Sequence, residues 1–349
     1  MEINKAILES TIEEFSKGRK ELLVSQYTEM LDSSEIKELQ MKDTDEVLDD
    51  LLNNDFKRLV AAFRKTEYIQ SYKYSALFKI ISDDVIDLLK ILKDNEKIRI
   101  DNDDYFGYYD ESNNYFILNF YKEGTTLIDN QAVKKERLQS SIIKLHKIDG
   151  ENFFEISIDS IQNYYRSDSI NYYINLIDKI ENWINQKLLI TCQPVNLNNT
   201  IDSMRNNIDS DFLVSAQLMN TNNGARATLD SASSTTIILP ILGELKELIE
   251  SNVNLFTNSQ EGLAKINEFI QDLEEDSDLP WVSLINKTMK ISIKFLFYSY
   301  TRRNYTLLNY YYHEKNREGM DYVTTKLLSE YSKKDSEEVQ PESPENSGI

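Results

Sequence analysis

Glycine is scarce in this chain, and its nine copies stand far apart. No two lie closer than Gly107 and Gly124, 17 residues apart. A Walker A loop and a GxGxxG fingerprint both need closely spaced glycines to bring backbone N–H groups against phosphates, so both are excluded. Imidazoles and thiols are scarcer still. His146 and His313 are the only histidines and Cys192 the only cysteine. A zinc site of several His or Cys ligands cannot be assembled from one such chain. Neither can an intramolecular disulfide, which fits a reducing compartment. No GxSxG elbow presents a serine nucleophile. A Cys192 nucleophile would need a histidine beside it, and no local motif supplies one.

Long apolar runs are missing as well. None approaches the ~18–20 residues that span a bilayer. The opening, MEINKAILESTIEEF, carries acids where a signal peptide needs a basic start and an apolar core. The expectation is a soluble cytoplasmic protein with no membrane partner. Only Pro194, Pro240 and Pro280 precede residue 332. Pro-rich or Gly/Ser-rich linkers are therefore absent, and the parts are expected to pack together. The Asn-, Ile- and Lys-rich usage suggests a bacterial or phage source.

Positive charge is in deficit. With 59 acids against 39 Lys and Arg the formal net charge is −20, which repels polyanions at long range. Affinity for nucleic acid would have to come from a local basic patch.

One such patch is written into the sequence. Lys287–Arg317, KTMKISIKFLFYSYTRRNYTLLNYYYHEKNR, is the densest apolar and aromatic run in the chain. It holds Lys287, Lys290, Lys294, Arg302, Arg303, Lys315 and Arg317 against a single acid, Glu314. Its net charge is +6, so everything outside it sums to −26. Lys290–Phe297 alternates Ile291, Ile293, Phe295 and Phe297 with polar residues, which predicts a half-buried strand. Thr301–Asn304 is a candidate turn, with Tyr305–Tyr312 returning as a second strand. The turn lacks glycine, so a helix through Tyr298–Tyr312 is the rival.

A second basic segment, Lys134–Lys147, carries Lys134, Lys135, Arg137, Lys144 and Lys147 against Glu136, a net of +4. Single-stranded nucleic acid suits such interleaving, because bases stack on tyrosine rings while Lys and Arg neutralise phosphates. The candidate contacts are these five residues with Lys290, Lys294, Arg302, Arg303, Tyr305, Tyr311, His313, Lys315 and Arg317. The opposing possibility is neutralisation within the fold or across a subunit interface. Glu268–Asp278 offers six acids and no base, and Glu29–Asp55 offers ten acids against Lys37 and Lys42.

The rest of the chain predicts an α+β fold: an N-terminal helical region followed by a mainly antiparallel sheet with packed helices. Residues 1–96 read as helical, with Leu48, Leu51, Leu52, Phe56, Leu59, Val60 and Phe63 spaced as one stripe. Residues 97–200 read as antiparallel sheet plus helix. Lys97–Ile100, Asn114–Tyr121, Ser141–Ile148 and Asn152–Ile158 are the strands, and Asp149-Gly150 is a hairpin turn. Asp168 caps a helix ending near Lys187, and Leu188–Cys192 reads as another strand. Residues 201–331 read as an α+β region. It holds a strand at Asp211–Met219, an exposed mobile loop at Asn220–Thr236, helices at Ile241–Ile249, Asn258–Glu274 and Gly319–Tyr331, and the basic-aromatic strands. Residues 332–349 read as a disordered acidic tail.

Carboxylates are the remaining route to chemistry. Asp101, Asp103, Asp104, Asp110 and Glu111 cluster around a predicted hairpin and could hold Mg²⁺ or Ca²⁺. They lack EF-hand spacing, and a solvated loop is the plainer reading. No metal and no cofactor are therefore expected. The leading expectation is a non-enzymatic protein that binds nucleic acid or another polyanion. An assembly subunit with a protein partner or a second copy comes next, and a carboxylate-dependent metal enzyme last.

Overall fold

The protein is an α+β structure, seen here in a computed structural model that describes residues 3–32, 35–36, 42–81, 99–100, 105–166, 171–206, 210–220, 226–230, 245, 248–275, 278–311 and 317–338. It divides into two compact units. Residues 1–193 with 315–322 form the first, and residues 194–314 with 323–349 form the second.

Among the described residues the first unit begins with the helices α1 (Lys5–Glu13), α2 (Lys17–Thr28), α3 (Thr44–Asn54) and α4 (Phe56–Ile69). Short polar side chains start them. Asn4 Oδ1 accepts from the Ala6 amide at 2.9 Å, and Ser16 Oγ accepts from the Arg19 amide at 3.4 Å, which satisfies donors that a helix start leaves open. The predicted stripe does cross from α3 to α4. Asp55 (φ −142°) interrupts the helix between them and caps α4 through the Arg58 amide. Leu48, Leu51, Leu52, Leu59 and Phe63 join Leu8, Ile12 and Leu23 in one buried cluster. Four acids of Glu29–Asp55 find cations within the same run of sequence or its neighbouring helices. Asp45 pairs with Lys20, Asp50 with Lys42, and Glu35 and Asp55 with Arg58.

Five antiparallel strands follow in the order β2-β3-β4-β5-β1. They are β1 (Tyr74–Ile80), β2 (Tyr105–Asp110), β3 (Tyr115–Ile128), β4 (Gln131–Ile148) and β5 (Glu151–Ile158). β1 corrects the reading of residues 1–96 as wholly helical. Ser75, Ala76, Leu77 and Phe78 are all buried, and an apolar run covered on both faces carries neither helical nor strand periodicity. β1 pairs with β5 from Tyr74↔Ile158 to Lys79↔Phe153.

The Asp149-Gly150 turn forms as predicted, with φ of 50° and 87°, the left-handed pair that a two-residue hairpin turn needs. The other long hairpin extends beyond the predicted strands. β3 and β4 pair continuously from Tyr115↔Lys144 to Ile128↔Gln131. Asp129 and Asn130 make its turn at φ 50° and 61°, a conformation Asp and Asn tolerate without glycine. After β5 come a 3₁₀ turn (Asn163–Tyr165), α5 (Tyr172–Lys187) and the three-residue β6 (Cys192–Pro194) beside β1. Leu188–Cys192 is thus mostly irregular rather than a strand, with Leu189 at φ 56°.

The second unit holds α6 (Asn198–Asn206), β7 (Phe212–Asn220), β8 (Arg226–Asp230), α7 (Gln260–Glu275), β9 (Asp278–Asn286), β10 (Ser292–Leu296) and β11 (Leu307–Tyr311). Its strands run antiparallel in the order β11-β10-β9-β7-β8. β8 corrects part of the predicted loop Asn220–Thr236. It pairs with β7 from Ala216↔Asp230 to Asn220↔Arg226, so a tertiary partner decides a segment whose composition signals a turn.

β10 and β11 form the predicted hairpin, with Ser292↔Tyr311 and Leu296↔Leu307 in register. Only a single helical turn, Tyr298–Thr301, survives of the rival helix. The final helix, α8 (Arg317–Glu338), gives its first residues to the first unit and the remainder to the second. It also corrects the tail. Residues 332–338 continue the helix, and Ser332 is buried one turn after Leu328.

Candidate functional site

The basic segment Lys134–Lys147 lies along β4, and the fold spends most of its charge. Lys134 pairs with Glu123 at 3.1 Å and with Glu136 at 3.0 Å. Lys135 reaches Glu13 at 3.9 Å, and Arg137 pairs with Glu14 at 3.1 Å. Lys144 pairs with Asp321, while Lys147 is exposed. Neutralisation within the fold therefore applies to this island. The acids that do it come from α1, β3, β4 and α8 rather than from either acidic run.

Arg317 belongs to a buried polar cluster instead of a surface. Glu155, in the middle of β5, is fully buried. Its Oε2 accepts from Arg317 Nη2 at 3.0 Å and lies 3.1 Å from His146 Nε2. Its Oε1 accepts from Ser75 Oγ and Ser157 Oγ, each at 3.1 Å. Arg317 Nε also meets Asp321 Oδ1 at 2.9 Å, one helical turn along α8. Burial alone would push the Glu155 carboxyl up. The Arg317 guanidinium and then His146 overcome it and hold the group well below the usual carboxylate range.

Two chemistries can be tested on this cluster. His146, Glu155 and Asp321 offer ligand atoms within 4.8 Å of one another. Arg317 and Lys144 already supply positive charge to those same carboxylates, so the donor set does not fit a divalent cation. A serine nucleophile fits no better. Ser75 and Ser157 reach the carboxylate and not the imidazole, and no solvent reaches Glu155. Cys192 is also poorly placed for nucleophilic work. Burial, then the Glu181 charge, pushes its thiol up to about 12.

The second unit places its basic residues differently. Lys290 (φ 52°) is exposed in the turn between β9 and β10. Lys294 sits 3.8 Å from the centre of the Trp281 ring. Arg302 is exposed at the other end of β10 and takes the left-handed conformation at φ 57°. Two hydrogen bonds hold that turn without glycine. The Arg302 amide donates to Tyr298 O at 2.7 Å, and the Arg303 amide to Thr301 Oγ1 at 3.2 Å.

Tyr305 is buried and Tyr311 half-buried, so Tyr305 has no face to offer a base. Tyr298 and Tyr300, 53% and 54% exposed, flank the same turn beside Arg302. Their signal was the YSYTRR sequence itself, but period-two alternation does not say which tyrosines leave the sheet. His313 and Lys315 lie outside the described residues, as do Asp101, Asp103 and Asp104.

No family model, curated protein or solved structure matches this chain. Its function therefore rests on its own geometry. Among the described residues no helix is long and apolar enough to cross a membrane.

Proposed function

We propose that this chain is a non-enzymatic cytoplasmic protein that binds single-stranded nucleic acid, or another polyanion, through the turn at residues 297–304. The observation that carries the reading is the exposure of Tyr298 and Tyr300 beside exposed Arg302. Open rings give stacking surfaces, and a neighbouring guanidinium neutralises phosphate. The contact is local, because a net charge of −20 offers no long-range attraction.

A labelled single-stranded 20-mer should shift in a gel at low salt. Tyr298→Ala and Tyr300→Ala should each weaken binding about tenfold, within the ~1–3 kcal/mol expected per stacked base. Arg302→Glu should weaken it further and flatten the salt dependence. No shift by the wild-type protein at about 50 mM salt would sink the reading, since electrostatic contacts are strongest there.

Assembly is the second reading, and one observation favours it. At the tip of the β3–β4 hairpin Leu127 is 72% exposed, and Ile128 beside it is also open. An apolar tip on a two-stranded arm is costly to leave in water. Light scattering decides between the two readings. A concentration-dependent oligomer that Leu127→Asp returns to monomer, with no nucleic-acid shift, would establish assembly instead.

A further inference from the structure

A cleft of about 700 Å³ opens in the first unit, between α1, the start of α2, the end of α4 and the chain after β5. Its volume is that of a small-molecule site. Among the described residues four cations line it, Arg19, Lys73, Arg137 and Arg166, against two acids, Glu14 and Asp159. In a chain of net charge −20 this is an unusual concentration.

Both acids are already engaged. Glu14 accepts from Arg137, from Tyr164 Oη at 3.0 Å and from Tyr165 Oη at 2.6 Å. Asp159 pairs with Arg19 at 3.0 Å and accepts from the Ser160 amide at 2.8 Å. Arg19 also pairs with buried Glu67 at 2.5 Å, yet its Nε has no hydrogen-bond partner among the described residues. The surplus lies with Lys73 and Arg166. Neither meets a carboxylate among the described residues. Arg166 is nevertheless fixed, because its Nε and Nη2 donate to Ile161 O at 3.2 and 2.9 Å and its guanidinium lies 5.2 Å from the Tyr173 ring centre. A fixed guanidinium loses little freedom when an anion arrives.

The start of α2 adds to this charge. Ser16, Gly18 and Arg19 line the cleft; the Arg19 amide is already met by Ser16, which leaves the Gly18 amide, one residue earlier, without an acceptor inside the helix. A Cβ built on Gly18 would meet nothing within 4 Å, so open space lies beside that residue. Phe15, Leu22 and Ile69 supply apolar wall.

We propose that this cleft binds a small organic phosphate, with Lys73, Arg166 and the Gly18 amide meeting the phosphate and the apolar wall meeting its organic body. Lys73 and Arg166, the two lining cations that meet no carboxylate among the described residues, match a phosphate monoester, which carries nearly two negative charges at neutral pH.

Three probes test it on the full chain: adenosine monophosphate, inorganic phosphate and adenosine. The monophosphate should raise Tm saturably and bind at least about tenfold more tightly than inorganic phosphate, because its body adds contact. Lys73→Ala and Arg166→Ala should each weaken it about tenfold or more. Gly18→Asp separates binding from folding. An acid in the first turn of a helix favours the helix, so Tm without ligand should hold or rise while the ligand-induced rise disappears. Equal binding of adenosine and the monophosphate would overturn the proposal. So would no rise in Tm up to about 10 mM, where even weak sites respond, or a rise that Gly18→Asp leaves intact. Equal binding of both phosphates would overturn the organic-phosphate assignment and leave a free-phosphate site.

Discussion

Glu155→Gln is expected to lower the unfolding free energy by about 3–5 kcal/mol, the cost of breaking a buried ion pair from one side. The substitution keeps the side chain's size but leaves Arg317, which is also buried, without the Glu155 carboxylate. Arg317→Met should cost a similar amount, because it strands Glu155. The double variant Glu155→Gln with Arg317→Met should cost clearly less than the two single losses added together. Urea unfolding followed by circular dichroism reads all three. Additive losses would show that the two residues act independently.

The same carboxyl predicts a pH dependence. Its folded value lies below the ordinary 4.5, so the unfolded chain takes up the proton first as pH falls. The stabilisation is complete above that value and is lost progressively below it, by up to about 1.4 kcal/mol per pH unit. Glu155→Gln removes this one contribution. The stability gap between wild type and variant should therefore narrow as pH drops below 4.5. A gap constant from pH 7 to pH 3 would contradict it.

The second large effect is steric. A Cβ on Gly124 would stand 2.4 Å from Tyr164 O and 2.8 Å from its carbonyl carbon. Both are backbone atoms, so no side-chain rotation relieves the clash. Either β3 or the 3₁₀ turn must move, and Gly124→Ala is expected to cost about 2–3 kcal/mol. Displacing that turn would also disturb the bonds from Tyr164 and Tyr165 to Glu14. Gly18→Ala serves as the control, because its Cβ meets nothing and alanine favours a helix. Equal melting temperatures for the two variants would show that β3 does not press on the turn.

The α+β class was readable because periodicity reports one-sided burial. The helical stripe of Leu48 to Phe63 and the strand alternation of Ile291 to Phe297 both formed their elements, but Ser292 and Leu296 are buried as well, so that strand is covered on both faces rather than half-buried. β1 was not readable, since Ser75–Phe78 is covered on both faces and shows neither period. The far end of the β3–β4 hairpin was missed because Asp129 and Asn130 make a turn usually marked by glycine.

The candidate site was less legible. Charge counts located the basic islands but not their partners. Lys135 and Arg137 meet Glu13 and Glu14 across more than 120 residues of chain. FFEISI did contain a clue, because an acid inside an apolar strand must find a cation if it is buried. No sequence rule pointed that acid to Arg317. The cleft was invisible for a related reason, since its cations come from four separate segments and only Arg137 belonged to a recognised basic run.

The span between Glu155 and Arg317, 162 residues, has a consequence for synthesis. A ribosome adding ~5–20 residues per second needs roughly 8–30 s to pass from one to the other. During that interval β4, β5 and β1 can all have emerged, while the guanidinium that compensates their central carboxylate has not. Until Arg317 is made, only His146, Ser75 and Ser157 can meet that carboxylate, and the sheet of the first unit is expected to close loosely around it. A nascent chain arrested before Arg317 should accordingly be cut by protease within β5, and one arrested well beyond α8 should resist.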